Sequence, residues 1–130
     1  MILLDTNVII DYWRNLTPKK ELAMVRLDPY ICGVVLAELL QGTSNKQEAA
    51  KMQEALSEFR WLEIRSDVWH RLGLNLAALR RVGLNVPFQD TLLATMAIRH
   101  NAQIWSKDKH FVRIQQVLPA LQLFTPEIES

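Results

Sequence analysis

The sequence predicts an α/β fold: a central, mostly parallel sheet of four to five strands flanked by helices. Three observations point to it. Short strand-like runs, beginning with Ile2-Leu3-Leu4, alternate along the whole chain with segments of helical period. The first run carries no polar side chain before Asp5, as expected of a strand covered on both faces, which is the habit of parallel strands. At 130 residues, 49% hydrophobic and 22% charged, the chain has the size and composition of one domain, residues 1–130, with a real core.

Strand one is expected at Ile2 to Asp5, and a helix starts near Thr6–Asn7, residues suited to an N-cap. Pro18 can open a second helix through about Leu27, because proline is tolerated in a first turn. Asp28-Pro29 then breaks the chain before a short strand at Tyr30 to Cys32. A helix follows from about Val34 to Gln41, with Gly42 as its stop. From Asn45 to Arg60 the pattern is an amphipathic helix with Ala49, Met52, Leu56 and Phe59 on one face. Trp61 to Ile64 reads as a third strand. Ser66 can cap a long helix that aligns Val68, Leu72, Leu76 and Leu79 and ends at Gly83. Leu84 to Gln89, with Asn85 and Pro87, reads as a loop before a helix from about Asp90 to His100. Strands at Gln103 to Ser106 and Leu121 to Phe124 complete the pattern, and the polar tail Thr125 to Ser130 is expected to fray.

Composition narrows the function classes. The N-terminus lacks a basic stretch, and its apolar run is cut at Asp5, so a signal peptide is not expected. The longest near-apolar stretch, Tyr30 to Ala37, is too short to span a bilayer. A single cysteine, Cys32, excludes an internal disulfide and suits a reducing cytoplasm; its neighbours mark it as a small core residue. A net charge of +1 gives no global attraction to nucleic acid, so a basic surface would have to be local.

Four acids stand where a solvated acid is not expected. Asp5 lies beyond the carboxyl end of strand one, where open α/β sheets bind ligands. Glu38 interrupts Val34-Val35-Leu36-Ala37-Glu38-Leu39-Leu40, a helix apolar on nearly every side; burying an unpaired carboxylate there is expensive. Asp90 heads its helix and shares a face with Leu93, Ala94 and Ala97. Asp108 follows a strand end by two residues, as Asp5 does.

Each also has an ordinary reading. Glu38 could sit in a structural salt bridge, Asp90 could be a first-turn acid favoured by the helix dipole, and Asp108 could be a loop acid balanced by Lys107 and Lys109. Together they make physical sense around a cation, since like charges about 4 Å apart repel by roughly 1 kcal/mol in water and about 4 at an effective dielectric of 20. Oxygen donors suit Mg²⁺ or Mn²⁺, and no histidine pair has zinc-ligand spacing. Glu48, Glu54, Glu58 and Asp67 read as solvated charge, Glu127 and Glu129 fall in the tail, and the first helix can expose Asp11.

Leu3-Leu4-Asp5-Thr6-Asn7, Ala37-Glu38-Leu39, Gln89-Asp90-Thr91-Leu92-Leu93-Ala94 and Ser106-Lys107-Asp108-Lys109-His110-Phe111 resemble, in order, the PIN-domain ribonucleases, most closely the VapC-type toxins of toxin–antitoxin pairs. The resemblance covers essentially the whole chain. It implies a Mg²⁺- or Mn²⁺-dependent endoribonuclease that cuts single-stranded or loop RNA. It further implies that Asp5, Glu38, Asp90 and Asp108 form the acidic pocket. Asp5 and Asp90 would be the first metal ligands, with Glu38 and Asp108 as further ones and Asn7 and Ser106 as auxiliaries. Ser106 stands where the family often has threonine and keeps the hydroxyl. His110 stands where many members have an acid, a departure that puts a fifth acidic role in doubt. Partners implied are an RNA substrate, a second copy in a homodimer, and a cognate antitoxin whose tail enters the active-site groove. DNA is implied only through the antitoxin.

Lys107, Lys109 and His110 could hold RNA phosphates, and Arg80 and Arg81 could do the same or be plain solvated charge. Trp13, Trp61, Trp69 and Trp105 read as core or interface before base-stacking platforms, and His70 and His100 as structural.

Other functions fit less well. A haloacid-dehalogenase phosphatase needs a second aspartate where Asn7 stands, a receiver domain needs a phosphoacceptor aspartate after a third strand, and a nucleotide-binding module needs a glycine-rich loop. The alternatives that remain are a non-catalytic PIN-like RNA-binding or scaffold domain, and a PIN nuclease of RNA processing without an antitoxin.

Overall fold

Ile2, Leu3 and Leu4 form β1, and all three side chains are buried, so β1 is the natural centre of the sheet. The computed structural model describes residues 1–126, in the order β1 (Ile2–Leu4), α1 (Thr6–Arg14), α2 (Pro18–Leu27), β2 (Tyr30–Ile31), α3 (Gly33–Gln41), α4 (Lys46–Leu56), β3 (Arg60–Trp61), α5 (Val68–Arg81), α6 (Phe88–Arg99), β4 (Gln103–Trp105), α7 (His110–Val117) and β5 (Gln122–Leu123). The sheet order is β3-β2-β1-β4-β5, and every pairing is parallel. Glu127, Glu129 and most of the tail expected to fray lie outside the described residues.

From β1 the chain builds outward on one side through β2 and β3, then returns to the other side for β4 and β5. The order therefore reverses between β1 and β4. Such a switch point opens a crevice at the carboxyl ends of the two strands. The register Ile2↔Gln103, Leu3↔Ile104, Leu4↔Trp105 brings Asp5 level with Ser106, and Asp5 N donates to Trp105 O at 3.0 Å.

Helices cover the sheet with Val8, Ile9 and Tyr12 of α1, Val35 and Leu39 of α3, Leu72 and Leu79 of α5, Leu92, Leu93 and Met96 of α6, and Phe111 and Ile114 of α7. Cys32 is fully buried at the end of β2, and burial pushes its thiol up, as suits a core residue. Among the described residues, no helix is long and apolar enough to cross a membrane.

The boundaries differ from expectation in informative ways. Asp5, not Thr6 or Asn7, caps α1: its backbone is extended and its carboxylate accepts from Thr6 N at 2.8 Å. The helix expected over Asn45 to Arg60 stops at Leu56, where Ser57 Oγ donates to Glu54 O and closes the last turn. Arg60 is thereby freed for β3, which is two residues long because the backbone leaves the sheet after Leu62 N donates to Ile31 O. Helix α5 starts at Val68 without a Ser66 cap, and Gly83 adopts φ +73 just beyond its end, a conformation that favours glycine. Helix α6 starts at Phe88 rather than Asp90, with Pro87 O accepting from Asp90 N and Thr91 N. Strand β5 is limited to Gln122–Leu123, and β4 ends at Trp105. Helix α7, absent from the sequence reading, fills the stretch between β4 and β5.

Candidate metal centre

The carboxyl end of β1 ends in Asp5, whose carboxylate is held by three groups. Thr6 N donates to Oδ1 at 2.8 Å, while Ser106 Oγ and Asn7 Nδ2 donate to Oδ2 at 2.7 and 3.3 Å. Ser106 is a junction, because its hydroxyl also accepts from Asn7 Nδ2 at 3.2 Å and from Asp108 N at 3.0 Å. Asn7 Oδ1 in turn accepts from Lys107 N at 3.0 Å. Two side chains thus tie the first turn of α1 to the loop after β4.

The remaining acids arrive from three directions. Glu38, on α3, accepts from Thr6 Oγ1 at 3.2 Å. Asp90 is the third residue of α6, in the first turn where the helix dipole favours negative charge. Asp108 lies in the loop before α7, and its Oδ1 accepts from His110 N at 3.0 Å. His110 Nδ1 lies 2.8 Å from Asp90 Oδ2 and 3.1 Å from Asp108 Oδ1.

Burial and mutual repulsion act on these groups together. Asp5 is only 6% exposed and Asp90 only 8%. Desolvation raises the Asp5 carboxyl above its ordinary range; Ser106 and Thr6 oppose this and Asp108 adds to it. Desolvation likewise raises Glu38, with the charges of Asp5 and Asp90 reinforcing it. Asp90 is raised by burial and by Asp5 and Asp108, against the hydrogen bond to His110. Burial and neighbouring carboxylates thus oppose the ionisation of Asp5, Glu38 and Asp90, and a cation would relieve both. The donor set fits a divalent ion: carboxylate oxygens suit Mg²⁺ or Mn²⁺.

In comparison with known families, residues 2–117 match the model for the PIN domain. The chain belongs to the PIN domain family. The structure of VapBC2 from Rickettsia felis bound to a DNA fragment of its promoter is similar to this chain at 25% identity, with 95% of this chain and 98% of that chain covered and a TM-score of 0.78. DNA-bound VapBC from Salmonella typhimurium matches at 19%, covering 95% and 96%, with a TM-score of 0.76. VapBC-1 from nontypeable Haemophilus influenzae matches at 21%, covering 95% and 97%, with a TM-score of 0.75. The latter two speak to the fold alone. Among curated proteins, none matches the sequence.

The other residues singled out in the sequence have distinct surroundings in the PIN fold. Lys107 Nζ pairs with Asp11 Oδ2 at 2.8 Å on the surface, while Lys109 is exposed. Arg80 and Arg81 are exposed at the end of α5. Trp13 and Trp105 pack against the core, whereas Trp61 and Trp69 are about half exposed, at 47% and 51%. Glu48, Glu54, Glu58 and Asp67 are exposed, as expected. His70 is exposed, and His100 is half-buried, with desolvation lowering its imidazole.

The sequence reading underrated His110. It stands in the sequence as a departure from the family's acid and as an RNA-phosphate candidate, yet it reaches two of the four acids. A helical signal was present, with Phe111, Ile114 and Leu118 at spacings of three and four, and it would have put His110 at a helix start facing Asp108.

Proposed function

We propose that this chain is a divalent-metal-dependent endoribonuclease and the toxin of a toxin–antitoxin pair. The observation that carries the reading is that Asp5, Glu38 and Asp90 near the switch point of the sheet have carboxyls raised first by burial and then by neighbouring acids, Asp108 among them. A scaffold has no use for such repulsion. Asp5 and Asp90 would hold Mg²⁺ or Mn²⁺ first, with Glu38 and Asp108 completing the set. When bound, the ion supplies Lewis-acid charge for a phosphodiester and lowers the pKa of water.

The chain's own residues do the rest. Ser106, Asn7 and Thr6 N fix the rotamer of Asp5 and favour its ionised form. Thr6 Oγ1 donates to Glu38 and orients it as a candidate to accept a proton, its carboxyl raised above the ordinary range by burial and by the charge of Asp5. Lys109 is exposed and can meet a phosphate, and Lys107 can do so by exchanging a surface ion pair whose contribution is about 0.2–1 kcal/mol.

Partners follow from the same surface. A groove of about 430 Å³ runs beside Glu38, apolar at Ile10, Trp13, Leu39 and Met52. It suits an apolar antitoxin segment with a basic residue reaching the acids. The similar VapBC2 structure from Rickettsia felis supports that partner, and a homodimer completes the proposal, with DNA reached only through the antitoxin.

Purified chain incubated with structured RNA should cleave it in Mg²⁺ or Mn²⁺ and stop on adding EDTA. EDTA-resistant cleavage, or RNA binding without cleavage in either metal, would overturn the nuclease reading. Expression of the chain alone should arrest growth and Asp90→Ala should relieve it; arrest that persists in that variant would refute the toxin reading.

A further inference from the structure

We infer that His110 is a metal ligand in this chain, making its cation centre a mixed carboxylate–imidazole site that prefers Mn²⁺ to Mg²⁺. The inference rests on the metal-dependent reading above and goes beyond it in naming a nitrogen donor and the selectivity it brings. Donor atoms of Asp90, Asp108 and His110 all lie within 4.8 Å of one another. The two separations from His110 Nδ1, 2.8 Å to Asp90 Oδ2 and 3.1 Å to Asp108 Oδ1, match the edge of an octahedron. Ligands at about 2.1 Å in adjacent octahedral positions sit roughly 3 Å apart. The same separations are hydrogen-bond distances, so Nδ1 and both carboxylates face one shared space that a proton or a cation can fill.

His110 is also built in. It opens α7, its backbone N–H is anchored on Asp108 Oδ1 at 3.0 Å, and Phe111 beside it is 1% exposed and locks the helix to the core. The backbone of His110 is therefore fixed by α7, and only rotation of its own side chain separates the imidazole from the two acids.

The chemistry then separates the ions. Mg²⁺ prefers oxygen donors and retains its waters, whereas imidazole suits transition ions, of which Mn²⁺ also accepts carboxylates. For ligation the hydrogen must reside on Nε2, leaving Nδ1 free to donate its lone pair. The rival account has the hydrogen on Nδ1, with His110 bridging two acids only by hydrogen bonds and yielding its place when a cation enters.

Pulsed electron paramagnetic resonance on the full chain, stripped with EDTA and loaded with one equivalent of Mn²⁺, distinguishes the two. The expected spectrum shows ¹⁴N coupling that changes on ¹⁵N-histidine labelling and vanishes in His110→Asp. That variant should also lower the preference for Mn²⁺ over Mg²⁺, measured calorimetrically, by about tenfold or more. Bound Mn²⁺ without histidine coupling, or coupling that persists in His110→Asp, would overturn the assignment while leaving the metal centre intact. Failure of the wild-type chain to bind Mn²⁺ at all would overturn the metal-dependent reading and this inference with it. The wild-type spectrum decides the ligand even if the variant folds poorly.

Discussion

Ser106→Ala is the sharpest perturbation of the centre that leaves every acid in place. The hydroxyl donates to Asp5 Oδ2 at 2.7 Å and accepts from Asp108 N at 3.0 Å and Asn7 Nδ2 at 3.2 Å. A hydrogen bond to a charged group contributes about 1.5–3 kcal/mol and a neutral one about 1 kcal/mol. Ser106 is only half-buried, so water can replace part of what is lost, and the net cost is roughly 1.5–2 kcal/mol. In a chain of 130 residues that is a fall of roughly 5–10 °C in Tm. The loss also has a signature that simple destabilisation lacks. The Ser106 hydrogen bond is the largest influence holding the Asp5 carboxyl down against burial, so the variant's Asp5 rises further. Its affinity for Mn²⁺ should then begin to fall at a higher pH than in wild type as the pH is lowered. Ser106→Thr, which keeps the hydroxyl, should restore both properties. Scanning calorimetry in EDTA and Mn²⁺ titration at several pH values measure them. An alanine variant that melts within about 1 °C of wild type and binds Mn²⁺ with unchanged pH dependence would refute the reasoning.

Asp5→Asn should reduce RNA cleavage at least about a thousandfold while circular dichroism shows a folded protein, since removing a charge from a repulsive cluster does not disrupt the core. Metal-free protein should lose stability as pH rises from about 4, the unfolded carboxyl range, through the raised folded values of Asp5, Glu38 and Asp90, because the folded state holds those protons more tightly. Mn²⁺ should restore it, so the cation-induced rise in Tm must grow with pH; a rise that shrinks would count against the acidic cluster. Asn75→Ala removes a buried 2.9 Å bond to Thr95 Oγ1 between α5 and α6. Urea unfolding should register about 1–3 kcal/mol, with Mn²⁺ affinity within about twofold of wild type.

How much of this was legible depended on how local each signal was. The burial of β1 and the oddity of Asp5 and Glu38 could be read directly, because an acid among apolar neighbours is informative wherever it occurs. The all-parallel sheet followed from alternation of strands and helices, but the two-residue length of β3 did not. An edge strand that short is set by where α4 ends before it and where the backbone leaves its neighbour after Leu62, and neither is marked in the local pattern. Helix α7 was lost because eight residues carry barely two turns of pattern. With it went the placement of His110.

Convergence itself is not a local property. Asp5 and Ser106 are 101 positions apart, and the hydrogen bond between them exists because β1 and β4 are neighbours in the sheet. Adjacency also explains why Asn7 reaches Lys107 N and Ser106: the first turn of α1 and the loop after β4 leave the same edge together. Glu38 and Asp90 come from helices that pack against that edge from elsewhere, held by Thr6 and by His110 respectively. The acids are thus tied to the centre by polar partners, Ser106 joining Asp5 and Asp108, Thr6 holding Glu38, and His110 joining Asp90 and Asp108. The acids carry the proposed chemistry, while Thr6, Asn7, Ser106 and His110 are the groups that contact them. Variants of the second group should therefore graduate cation affinity and its pH dependence, while variants of the first should abolish turnover outright.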